Sequence, residues 1–146
     1  MSARTVYVIN GPNLNLLGRR DPSVYGTATL ADVQALCADA ADAAGLELVF
    51  RQSNHEGVLI DWVQEAFEVG AAIVGNFGAY THTSIAIMDA LAVVEAPVVE
   101  VHISDIHARE EFRHQSYVSL VADDAVIGRG AEGYTEAIRR VAELWS

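Results

Sequence analysis

TVYVINGPNLNLLGRRDPSVYGTATLADVQALCADAADAAGLELVFR, residues 5–51, sets an apolar run, a long polar loop, an amphipathic stretch and a second apolar run in series. The two runs, Thr5–Ile9 and Leu46–Arg51, read as strands bounded by Gly and Asn signals. Between them Thr29 is placed to cap a helix, with Asp32 completing the capping pattern. Leu30, Val33, Cys37, Ala40, Ala41 and Ala44 then share one face until Gly45 stops it. Strand, helix and strand in that order predict a right-handed crossover between parallel strands.

The remainder of the chain repeats the scheme. Ala71–Gly75, Pro97–His102 and Ala125–Ile127 read as further strands, and Val58–Glu68, Ser84–Val94 and Tyr134–Trp145 as helices with one apolar face. The expected fold is α/β: a single domain over residues 1–146, built as a flavodoxin-like three-layer sandwich on a five-stranded parallel sheet. In such sheets ligands bind outside the carboxyl ends of the strands, so the residues that follow each strand carry the functional reading.

Composition narrows the chemistry. All nine basic residues of the Lys+Arg count are arginines. Without lysine there is no lysine Schiff base, so carbonyl chemistry here runs without an imine. A formal net charge of −11 argues against nucleic acid or an anionic membrane as partner, while leaving room for a small anionic substrate near clustered arginines. No apolar run approaches the roughly 20 residues of a membrane span, and the opening MSARTVYVING lacks a secretory core, so a cytoplasmic address is expected. The single cysteine, Cys37, cannot form an intrachain disulfide and is expected to be a buried, inert thiol.

The loop after the first strand, Gly11–Gly26, far exceeds the usual βα connection of about two to six residues, and it carries Arg20 and Tyr25. A tyrosine hydroxyl is a poor base in water, with a pKa of about 10, but a neighbouring guanidinium favours its phenolate. A structural Arg–Tyr contact in a surface loop fits the same pattern. After the third strand, Asn76-Phe77-Gly78-Ala79-Tyr80-Thr81-His82-Thr83-Ser84 leads into a helix. There Thr83 or Ser84 can serve as a cap, and Asn76 and His82 can hold a polyol or a carboxylate. Glu100 and His102, two apart on the fourth strand, point to one face, where the carboxylate can fix the imidazole tautomer for acid catalysis. A buried structural pair is the alternative. Ile103 and Ser104 follow, and Arg109 and Arg113 are expected on one face of a short helix, with Glu110 and Glu111 at hand as ion-pair partners. His82, His102 and His107 lack the spacing of a compact metal site, and the first loop lacks the Ser/Thr/Gly cradle of a flavin phosphate.

These residues, in this order, resemble type II 3-dehydroquinate dehydratase. The resemblance rests on four blocks: GPNLNLLGRRDPSVYG, RQSNHEG, NFGAYTHTS and EVHISDIHAREEFRHQS. It implies a flavodoxin-like enzyme without cofactor, assembled as a homododecamer built from trimers. Such an enzyme converts 3-dehydroquinate to 3-dehydroshikimate in the shikimate pathway or in quinate breakdown. It implies Tyr25 as the base at C2, Arg20 as the cation that keeps it ionised, and Asn13 as holder of the water that stabilises the enolate. His102, oriented by Glu100, is implied as the acid on the C1 hydroxyl. Asn76, His82 and Arg113 are implied to hold ring hydroxyls, Ile103 and Ser104 the substrate carboxylate, and Arg109 to close the loop. Asp89 is implied to reach the site of a neighbouring subunit. Two positions differ from the family pattern: Asp21 stands where glutamate is usual, and Phe77 where proline or a small residue is commoner.

Overall fold

The computed structural model describes residues 3–145. Five strands, β1 (Thr5–Asn10), β2 (Glu47–Gln52), β3 (Ala72–Asn76), β4 (Val98–His102) and β5 (Asp124–Ile127), form one sheet of order β2-β1-β3-β4-β5. Every pairing is parallel. The helices are α1 (Pro22–Tyr25), α2 (Leu30–Ala43), α3 (Glu56–Val69), α4 (Ile85–Ala92) and α5 (Glu132–Trp145). The predicted flavodoxin-like sandwich is the observed fold, with strand ends displaced by a residue or so.

The two-residue side-chain period of a strand divides the core. Val6 and Val8 of β1 pack with Val33, Cys37 and Ala41 of α2 and with Tyr134, Ala137, Ile138 and Val141 of α5. Tyr7 and Ile9 point the other way, into Leu59, Val63 and Ala66 of α3 and Ile87 and Leu91 of α4. The central strands β1, β3 and β4 are buried on both faces, as parallel strands between helical layers must be, which is why they read as apolar runs without alternation. Cys37 is fully buried, and desolvation pushes its thiol up to about 12, the inert state expected of it.

Local signals set the boundaries. Thr29 and Asp32 form the reciprocal capping box at the start of α2. Ser84 caps α4 through Ile87 N, which decides between the two hydroxyls offered by the sequence. The sequence pattern did not reveal α1, a single turn capped by Asp21, whose carboxylate accepts from both the backbone N–H and the hydroxyl of Ser23. Asp21 therefore acts locally, fixing the turn that carries Tyr25. The short helix expected to hold Arg109 and Arg113 on one face is absent. Two 3-10 turns, Ile106–Ala108 and Glu111–Arg113, stand in its place. Arg109 is extended between them and Glu110 has ψ 145°, so the two arginines do not share a helical face.

Phe77 is fully buried, and its backbone lies against Gly11. A Cβ at Gly11 would collide with the Phe77 carbonyl, and a Cβ at Gly75 with the Phe77 ring. Gly57, in the first turn of α3, has open space around its Cβ position. Gly11→Ala is therefore expected to lower unfolding free energy by about 1–3 kcal/mol through overpacking. Gly57→Ala is expected to raise it by about 0.4–1 kcal/mol by restricting the unfolded chain. Urea denaturation of the two variants beside the parent checks both signs.

Candidate active site

Asn10 and Asn76 end adjacent strands and pair in register at the carboxyl edge of the sheet. Both side chains are buried, and buried amides require partners. Tyr134 of α5 supplies one between them: its hydroxyl donates to Asn10 Oδ1 at 2.7 Å and accepts from Asn76 Nδ2 at 2.9 Å. Burial pushes the Tyr134 phenol well up, so it stays a neutral donor in this bridge. The Gly78 N–H adds a bond to Asn76 Oδ1 at 3.3 Å. Asn76 thus holds its place with Phe77 behind it.

Above this floor lies a cavity of about 130 Å³. The loop after β1 forms one wall through Asn13, Arg20 and Tyr25. The turn after β3 contributes Asn76 and His82, and the segment after β4 contributes His102, Ile103, Ser104, Arg109 and Arg113. Nearly all the residues singled out from sequence therefore converge on one space. Glu100 stands behind His102, and Asp89 is an exposed residue of α4 that does not line the cavity of its own chain. A larger groove of about 660 Å³ between α2 and α5 is lined by helix residues and the α2 C-cap Ala44, and it holds no histidine or tyrosine.

On the loop wall, Arg20 lies over the face of the Tyr25 ring, its guanidinium carbon 4.4 Å from the ring centre. The phenolic oxygen itself receives Arg109 Nη1 at 3.1 Å. The sequence reading put one cation beside Tyr25; the structure brings two and gives the direct hydrogen bond to Arg109. Asn13 holds the loop's approach with φ 70°, the only left-handed non-glycine among the described residues, a conformation asparagine tolerates better than most. Its N–H is received by Asn54 Oδ1 at 3.0 Å.

On the opposite wall, His102 Nε2 donates to Glu100 Oε2 at 2.6 Å, and both groups are buried. Burial alone would raise the Glu100 carboxyl. It is outweighed by the hydrogen bond and charge of His102 together with bonds from the Ser116 and Ser119 hydroxyls, so the carboxyl lies below its ordinary value. Since the ionised carboxylate is acceptor-only, Nε2 carries the proton and Nδ1 remains for other partners. His82 stacks on His102, with ring centres 6.4 Å apart. Its Nδ1 donates to the Gln115 carbonyl at 2.8 Å, which leaves Nε2 as an acceptor. Desolvation lowers the His82 pKa against the opposing effect of the Gln115 bond, favouring the neutral ring. Arg113 is held at 2.6 Å by Glu110, one of the acids expected to pair with it.

Sequence reasoning missed Ser116, Ser119 and Tyr134. The serines follow the fourth strand by more than ten residues, and Tyr134 opens a helix whose apolar face accounts for it as core. A buried glutamate in a sequence does signal that donors must exist, though not where they are.

Residues 4–142 match the dehydroquinase class II family. A 3-dehydroquinate dehydratase of Streptomyces avermitilis is 60% identical over 140 residues, covering 95% of this chain and 88% of the relative. A 3-dehydroquinate dehydratase 2 of Agrobacterium fabrum is 59% identical over 139 residues, covering 95% of each chain. Among solved structures, the type II dehydroquinase from Butyrivibrio crossotus superposes with a TM-score of 0.93 at 43% identity, covering 97% of this chain and 99% of that one. A match over nearly the whole length, on a fold whose strand ends gather the residues described above, makes this chain a member of the class II dehydroquinase family.

Proposed function

We propose that the protein dehydrates 3-dehydroquinate to 3-dehydroshikimate, a step of the shikimate pathway, by elimination through an enolate with no imine. Family membership supplies the substrate and makes the protein a hydro-lyase. The observation that carries the chemistry is one cavity bearing, on one wall, Tyr25 in contact with two guanidinium groups and, on the other, His102 backed by Glu100.

In this reading the Tyr25 phenolate takes a proton from C2, and the electron pair of that C–H bond moves toward the C3 carbonyl to give the enolate. Arg20 and Arg109 offset the negative charge on the phenolate before the transfer. A water held by Asn13 donates to the enolate oxygen, electrostatic stabilisation of the oxyanion-hole kind. His102 enters the next step as the imidazolium, with a proton on each nitrogen. It gives its Nδ1 proton to the C1 hydroxyl, which leaves as water while the enolate electrons form the C1–C2 double bond conjugated to the ketone. The ring is left neutral with its remaining proton on Nε2. Glu100 holds Nε2 throughout, so the ring delivers its proton from the other nitrogen. The bare Nε2 of His82 accepts from a ring hydroxyl, Asn76 and Arg113 donate to others, and Ile103 and Ser104 receive the substrate carboxylate.

The working particle in this reading is a homododecamer built from trimers, in which Asp89 enters the site of a neighbouring subunit. Ile85 and Asp89 of α4 and its C-cap Val93 are exposed and lie four apart in sequence. The two apolar members are about half exposed, at 51% and 52%, a pattern suited to a covered surface. A cytoplasmic address belongs to the same reading.

The ultraviolet absorbance of the conjugated enone reports the reaction directly. It is expected to rise when protein meets 3-dehydroquinate, and to do so equally with chelator present or after borohydride treatment with substrate. Tyr25→Phe is expected to lower kcat by about 100- to 10,000-fold, the usual worth of a positioned base, with ligand affinity kept within a few-fold. Turnover near the parent rate in that variant would remove Tyr25 from the role. His102→Ala is expected to depress kcat far more than it raises KM, whereas equal losses would assign it to binding. Light scattering is expected to give a particle of twelve chain masses, and Asp89→Ala to lower activity in particles that remain assembled.

A further inference from the structure

Both oxygens of the Glu100 carboxylate are occupied, and only one of their protein partners is the histidine. Oε2 accepts from His102 Nε2 and, at 2.6 Å, from Ser116 Oγ. Oε1 accepts from Ser119 Oγ. Ser116 Oγ in turn accepts from the Ser119 N–H at 3.0 Å, so the two serines form one unit at the start of the 3-10 turn Val118–Leu120. Neither the interior of the sheet nor a strand neighbour supplies these donors. They come from the far end of the segment that carries Arg109 and Arg113 and that receives His82 through the Gln115 carbonyl. One stretch of chain therefore touches the proposed base, the carboxylate behind the proposed acid and the second histidine of the cavity.

We infer that Ser116 and Ser119 are positioning residues for the general-acid step, holding Glu100 ionised and oriented so that His102 presents its Nδ1 proton to the substrate. The inference rests on the dehydratase reading. A carboxylate with three donors is committed in direction and in charge. With both hydroxyls gone, Glu100 keeps one partner in a buried site, gains freedom to rotate, and takes up a proton more readily. A protonated Glu100 no longer fixes the tautomer of the imidazole. The other ionisable groups around the pair are His82, across the ring stack from His102, and Arg113, whose charge acts on His82. Neither approaches Glu100 within hydrogen-bonding distance, so the serines are the donors that can be removed without touching a charge.

The test is the pH profile of kcat for Ser116→Ala, Ser119→Ala and the double variant, assayed by enone absorbance. On the acid limb both Tyr25, the base, and Glu100 take up protons, and loss of the serine hydroxyls raises only the Glu100 contribution. The limb is expected to move to higher pH by half a unit or more in the double variant, with kcat near neutrality reduced about tenfold and KM within threefold. Ser116→Thr and Ser119→Thr, which keep the hydroxyls, are expected to restore the limb. Carboxyl NMR titration of Glu100 gives a readout independent of turnover, and its midpoint is expected to rise in the same variants. If the double variant does not fold, Ser119→Ala alone decides on these readouts. An active parent whose folded alanine variants keep both kcat and the Glu100 midpoint overturns the inference and leaves the dehydratase reading standing. A parent inert toward 3-dehydroquinate overturns that reading and the inference with it.

Discussion

Glu100 sits at 1% exposure in the central part of the sheet, between apolar strands, and an ionised carboxylate in that position is tolerated only when it is fully hydrogen-bonded. Its needs organise everything that follows β4. His102, two residues on, satisfies one oxygen by strand geometry alone. The remaining capacity is met only if the chain turns back and lays Ser116 and Ser119 against it. That return fixes the segment in between, whose two 3-10 turns then deliver Arg109 to Tyr25 and the Gln115 carbonyl to His82. A single desolvated charge thus determines the placement of much of one wall of the cavity.

The other wall depends on close approach rather than on charge. Gly11 lets β1 run against the backbone of Phe77, and the Gly11 N–H is bound by the Asn76 carbonyl at 2.7 Å. From there the chain passes through the left-handed Asn13 and a 3-10 turn, then enters the capped turn α1 that presents Tyr25. Tyr134 joins the two walls from beneath by bridging the asparagines that end β1 and β3. A phenol so deeply buried costs free energy unless its hydroxyl is used. Here it is used twice, and it stiffens the strand ends on which the cavity stands.

Much of the architecture was legible in the chain because the signals are local. The Thr29/Asp32 box, the apolar stripe through Val33, Cys37 and Ala41, and the buried runs of β1, β3 and β4 each follow from periodicity and capping within a few residues. The Glu100–His102 pairing followed from the two-residue repeat of a strand. Irregular segments were less legible. No periodicity distinguishes one short helix from the pair of 3-10 turns around Arg109, because each turn holds only three residues and the break between them is the extended backbone of Arg109. The same holds for α1, where the deciding contact is between Asp21 and Ser23 rather than any repeat.

The sequence by itself determined a parallel sheet flanked by helices, the positions of the strands to within a residue or so, the exclusion of a lysine imine, and the residue types available at the carboxyl edge. Those properties depend on composition and short-range periodicity, which a linear chain displays directly. Only the tertiary structure decided which guanidinium binds the Tyr25 oxygen, which nitrogen of His102 is engaged by Glu100, and that Ser116, Ser119 and Tyr134 support the site. These contacts join residues up to 124 positions apart, and they exist because buried polar groups must find partners wherever the folded chain brings a donor or acceptor within reach.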